Sequence, residues 1–252
     1  MALTKVTWNM VDQPSTSDAL NNSYFGNDAL DALTTGGANT AVGASAGAAL
    51  TTGDQNTAIG KSALETMVAG NNNTAVGFSA LKNANDPACV QNTIIGAFCG
   101  EEITTGDNNT AIGHNTLKAL TTGNFNTAIG QGALANGVTC SLNTAAGYHA
   151  LLNFTGNNGV AYGVDALKSL TTGSNNTAVG YQALKEVTTA QSNTAFGYLA
   201  GQVVTSAQNT IVGDSAMFAT TTGAANTAIG FNSLVANQTG ANNTAIGAQS
   251  LI

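Results

Sequence analysis

The chain has 252 residues, enough for one or two domains, yet only 8% of them are charged, against about 25% in an ordinary globular domain. Its basic residues are all lysines and its formal net charge is −7, so it cannot build the basic stripe that a phosphate backbone demands, and nucleic acid is not an expected partner. Low charge together with just 2 prolines argues against disorder, and no apolar run approaches the roughly 20 residues of a bilayer span, so membrane insertion is not expected.

Residues 1–21 stand outside any repeat and hold Trp8, the single tryptophan, and Pro14. They are expected to cap the first coil or to attach the molecule to a larger particle, with Trp8 as the candidate attachment residue. Met1 to Gln13 carry no secretory pattern, so assembly in a cytosol and reduced thiols are expected.

From residue 22 to 252 one motif dominates, Asn-Thr-Ala-Ile/Val-Gly. Its glycine recurs fourteen times, from Gly26 through Gly43, Gly60 and Gly77 to Gly230 and Gly247, and the longest step runs from Gly77 to Gly96. A period this regular leaves no room for a second domain, and a unit of about 17 residues is too short for a helical hairpin repeat. Four residues before the glycine stands Asn in 13 of 14 repeats, Gly159 being the exception. Thr follows it in 12, and Ile or Val precedes the glycine in ten. Thr-x-Ile/Val puts β-branched residues on one face of a strand, and flanking Gly and Asn suit bends. The pattern predicts an all-β parallel solenoid of about 14 coils: strand, glycine bend, short Ala-Leu strand, Thr-Thr-Gly turn. At about 4.8 Å per coil it forms a rod of about 65 Å.

Stacked columns become ladders. Asn39, Asn56, Asn73, Asn92, Asn109, Asn126, Asn143, Asn176, Asn193, Asn209, Asn226 and Asn243 are expected to hydrogen-bond amide to amide along the axis. Strand threonines either do the same or pack their methyls inward. One Ile, one Leu and two Ala per coil are little apolar area against the entropy lost in ordering that coil, so burial between chains is expected as well.

Candidate chemical groups scatter. Cys89 and Cys140 replace turn glycines three coils apart, too far for a disulfide, and Cys99 reads as a small buried residue. His114 and His149 fall in different columns without converging partners, and the acids form no column; no metal, cofactor or catalytic site is expected. Lys82, Lys118, Lys168 and Lys185 share one register and read as solubilising charges. The column after the glycine holds Phe78, Tyr148, Tyr181, Tyr198 and Phe231, candidates for a chain–chain interface or for receptor contact through stacking on sugars.

The unit from Asn176 to Leu184, Asn-Thr-Ala-Val-Gly-Tyr-Gln-Ala-Leu, resembles the head repeats of trimeric autotransporter adhesins. It is closer still to Asn-Thr-Ala-Ile-Gly repeats in fibre and tail proteins of tailed phages, cyanophages in particular, and the opening Met1 to Thr7 is similar to theirs. The resemblance implies a left-handed, homotrimeric β-roll and a non-enzymatic virion fibre for host-surface contact. Its partners would be its own copies, other virion proteins through the amino-terminal segment, and a host glycan or protein. A phage fibre assembled in host cytoplasm needs no signal peptide, anchor barrel or heptad stalk, all of which the adhesins carry. The alternatives are a bacterial adhesin head at the cell surface and an ice-binding solenoid, the latter disfavoured by Ile or Val where a second Thr is usual.

Overall fold

The computed structural model describes residues 20–85, 87–219 and 222–251; Trp8 and Pro14, and with them the expected cap, lie outside the described residues. Among these residues the regular elements are fourteen parallel strands of three residues, from β1 (Ser23–Phe25) to β14 (Thr244–Ile246), each paired only with its sequence neighbours in one sheet. The register is one-to-one, Thr40 on Thr57, Ala41 on Ala58 and Val42 on Ile59. The chain is a parallel β-solenoid with the expected 17-residue repeat.

The glycine ends each strand for two reasons. At Gly43 φ is 134°, a conformation that a side chain disfavours. A Cβ there would also lie 2.6 Å from the carbonyl carbon of Gly60 in the next coil. The glycines stack on one another, so the coils approach as closely as backbone allows.

Beyond the glycine the chain does not form the predicted second strand. It runs through consecutive turns, because its φ angles alternate into the left-handed region: Ser62 at 58° and Leu64 at 52°, Asn115 at 56° and Leu117 at 50°. An alternating backbone of this kind cannot pleat. It still bonds along the axis, Ser62 N–H to the Ala44 carbonyl at 2.9 Å and Leu64 N–H to the Ala80 carbonyl at 3.1 Å. A left-handed leucine costs about 1–2 kcal/mol, and its full burial returns about 1.5–3 kcal/mol. Leu64, Leu81, Leu117 and Leu134 are all 0% exposed, so burial outweighs the strain.

The core also differs from expectation. The strand contributes its central residue, Ala58, Ala75 or Ala111, while Ile59 is 39% exposed. Strand residues alternate between faces, and the Thr-x-Ile/Val face is the outer one. The threonine methyls therefore do not pack inward. The large inward side chain comes from a column seven residues after the glycine that the motif did not reveal: Leu50, Met67, Ile103, Leu120, Phe154 and Leu170, all at most 1% exposed.

Three polar ladders tie the coils together. Each buried Asn accepts the backbone N–H of the equivalent residue in the next coil, as Asn39 Oδ1 does from Asn56 N at 2.8 Å and Asn143 Oδ1 from Gly159 N at 2.8 Å. The Asn56 amide in turn reaches the Asn39 amide oxygen (3.2 Å) and a turn carbonyl of the following coil, Gly70 O at 2.8 Å. Two residues earlier runs a second ladder, in which Asp54 Oδ1 accepts from Gly37 N, Asn71 Oδ1 from Asp54 N and Asn124 Oδ1 from Asp107 N. The first Thr of Thr-Thr-Gly makes a third: Thr51 Oγ1 donates to Val68 O and Thr121 Oγ1 to Val138 O. Left-handed φ falls on the residue before the ladder Asn, such as Gln55 or Asn72, and not on the Asn itself.

Candidate functional site

The surface that stands out is the outer face of the sheet. The fourteen strands contain no charged residue, and the residue before each strand's glycine lies on that face. Phe25, Val42, Ile59, Ile112, Ile129, Tyr162, Phe196, Val212, Ile229 and Ile246 are 37–67% exposed. Beside them the strand threonines, half-buried or exposed, complete an uncharged face of methyls and hydroxyls, interrupted by the rings of Phe25, Tyr162 and Phe196.

Past the bend, Phe78, Tyr148 and Tyr181 are each 44% exposed, and Tyr198 and Phe231 are 51% exposed. They do not join into one track. Tyr181 and Tyr198 stack, with centroids 5.3 Å apart and planes 11° apart. Gln202 donates to Gln182 at 2.8 Å, and Gln182 donates to the Tyr181 hydroxyl at 3.1 Å. Phe78 instead meets Phe98 edge-on at 5.0 Å, beside Lys118, whose Nζ lies 5.4 Å from the Phe98 ring centroid. Tyr148 stacks on His149 at 3.8 Å. Val164 and Asp214 occupy intervening coils of the column.

Lys82, Lys118, Lys168 and Lys185 lie in the turn segments and leave the sheet uncharged. They alternate with acids along the axis, Lys82 with Glu65 at 3.4 Å and Lys118 with Glu101 at 3.9 Å, while Lys168 meets Asp165 at 3.1 Å and Lys185 meets Glu186 at 3.5 Å. His149 Nδ1 is 3.8 Å from Asp165. Burial holds His149 below its ordinary value, Lys168 adds to that, and Asp165 opposes it.

Cys89, Cys99 and Cys140 are buried and none is in a disulfide. Burial pushes the Cys99 thiol up to about 12 and the Cys140 thiol up to about 11, which removes thiolate reactivity at neutral pH. Among the described residues no three His, Cys, Asp or Glu side chains are grouped to hold a metal ion, and no helix is long and apolar enough to cross a membrane. An open polar hollow of about 350 Å³ over Asp54, Gln55, Asn71 and Asn72 is floored by the second ladder, in which Asp54 Oδ1 and Asn71 Oδ1 each accept a backbone N–H.

No family model, curated protein or solved structure matches the chain.

Proposed function

We propose that the chain is a non-enzymatic virion protein, a phage fibre module whose copies associate through the outer face of the sheet, as a homotrimer. The fibre holds a rigid spacing, is joined to the particle through the amino-terminal segment, and offers its remaining surface to a host cell as repeated shallow contacts whose weak affinities add.

The observation that carries this reading is the uncharged Thr and Ile/Val plane. At about 4.8 Å per strand and about 3.3 Å per residue it measures roughly 60 by 10 Å. That is on the order of 600 Å², about half of it the apolar column, and close to the ~800 Å² that each partner of a stable interface buries. Exposed protein surface ordinarily carries interspersed charges that keep it soluble, and this face has none. Three as the number of chains rests on the likeness of the repeats to trimeric heads.

Native mass by light scattering tests it. A mass near three chains is expected, falling toward one in the Ile112→Lys, Ile129→Lys double variant with the far-ultraviolet spectrum unchanged. A monomeric parent chain sinks the reading. Antibodies to the chain should label the fibres of purified phage particles; labelling of a bacterial surface instead would favour the adhesin alternative. An ice-binding reading has one observation on its side, the outward threonines in register from β2 (Thr40–Val42) to β8 (Thr144–Ala146) without an aromatic in the strands. Thermal hysteresis from a monomeric chain would select it.

A further inference from the structure

A uniform solenoid has a problem of register. If every coil offers the same Thr and Ile or Val, two copies that slide by one coil, about 4.8 Å, lose little contact. Strands with uniform faces are prone to such slips, and proteins that must meet in one way carry features that penalise the alternatives.

Phe25 and Phe196 interrupt the aliphatic column singly, but one coil departs from the repeat in ladder, strand and core together. Between Gly147 and Gly163, a step shorter than the common period, Gly159 replaces the ladder Asn, Val160 replaces the strand Thr, and Tyr162 replaces Ile or Val. Phe154 fills the core beneath. Its ring lies 2.9 Å from where a Cβ on Gly159 would be, so the missing Asn and the large core ring are one exchange. The neighbouring coils keep Asn143 with Thr144 and Asn176 with Thr177. On the outer face the exchange sets the smallest member of the aliphatic column, Ala146, in register beside a tyrosine, Tyr162, which is 46% exposed.

We propose that this coil fixes the register in which copies of the chain meet. The proposal rests on the self-association reading above. In a closed cyclic assembly parallel chains meet at equal heights. The Tyr162 rings then converge at one level, and the Ala146 level beside them leaves the volume those rings need. A slip of one coil drives each Tyr162 against a Val179 or Ala146 level of a neighbouring copy, so that one level is overfilled or the Ala146 space stays empty. Both faults cost packing energy. The aliphatic coils supply adhesion, and this coil supplies alignment.

Pulsed electron paramagnetic resonance on assemblies mixed from chains carrying a nitroxide at Thr52→Cys and chains carrying one at Thr172→Cys separates the two roles. Thr52 and Thr172 are exposed at equivalent places in their coils, and the native cysteines are fully buried, so the labels are selective. The two sites differ in height by roughly 34 Å, so a slip of one coil moves the distance between unlike labels by about 4–5 Å, and antiparallel pairing would set like labels at Thr52 far apart. The parent assembly should show one narrow distance between unlike labels and a short one between like labels. The Ala146→Val, Tyr162→Val variant restores the residue common in this column and so folds. It should keep its native mass while its distance distribution broadens several-fold toward one-coil offsets. A narrow distribution in that variant, or a broad one or distant like labels in the parent, overturns the registration role. A monomeric mass with no inter-label coupling overturns the self-association reading instead, and this one with it.

Discussion

Asn109 joins three coils through one side chain. Its Oδ1 accepts from Asn126 N at 3.0 Å and from the Asn126 amide at 3.0 Å, and its own amide reaches Asn92 Oδ1 at 3.2 Å and Gly123 O at 2.9 Å. The residue is 1% exposed, so no water replaces a lost partner. Removing the side chain leaves the Asn126 N–H and the Gly123 carbonyl unsatisfied, at a cost of about 1–3 kcal/mol for such a group. Asn109→Ala should therefore lower the denaturant midpoint by the equivalent of about 2–3 kcal/mol, whereas Gln131→Ala, exposed and outside the ladder column, should cost far less. This column was legible because only a short amide can both accept and donate along a stacked axis. The Asp54, Asn71 and Asn124 ladder was not, since Gly, Ser, Val and Ala share its positions and blur the pattern.

Among elements, the coil from Gly147 to Gly163 shows how core and ladder trade against each other. Gly159→Asn alone would force its side chain into the Phe154 ring, and overpacking of this kind costs about 1–3 kcal/mol. Phe154→Leu alone opens a cavity. The pair together rebuilds the ordinary coil, with the introduced amide taking up the place between Asn143 and Asn176. A double-mutant cycle in urea should return a favourable coupling of about 1 kcal/mol or more; additive losses would show that the two positions do not compensate. The strands themselves were readable from alternation. The turns that replace the expected Ala-Leu strand were not, because Leu64 and Leu117 adopt left-handed φ, which local preference argues against and which burial alone makes favourable.

At the scale of the molecule, each coil touches only its neighbours, so stability is the sum of coil and interface terms. Cys89, Cys99 and Cys140 sample three coils, and all are 0% exposed. Their labelling rate under native conditions should be far below that of unfolded chain. Cys140, next to the aberrant coil, should label at the rate of Cys89 if the rod opens as one unit, and faster if that coil is a weak point. Mass spectrometry of labelled peptides distinguishes the two. Self-association should slow all three, and the slowing should grow with chain concentration.

The sequence by itself determined the solenoid, its 17-residue period, the glycine stack and the buried Asn column, because each is a repeated local constraint that only one or two residue types meet. Which face of the strand looks outward was decided by the tertiary structure alone. Thr-Ala-Ile alternates equally well either way up. The choice went to small alanines inside because Leu64 and Met67 and their counterparts, contributed by the turns, already fill the narrow core, and so the aliphatic column was left on the surface.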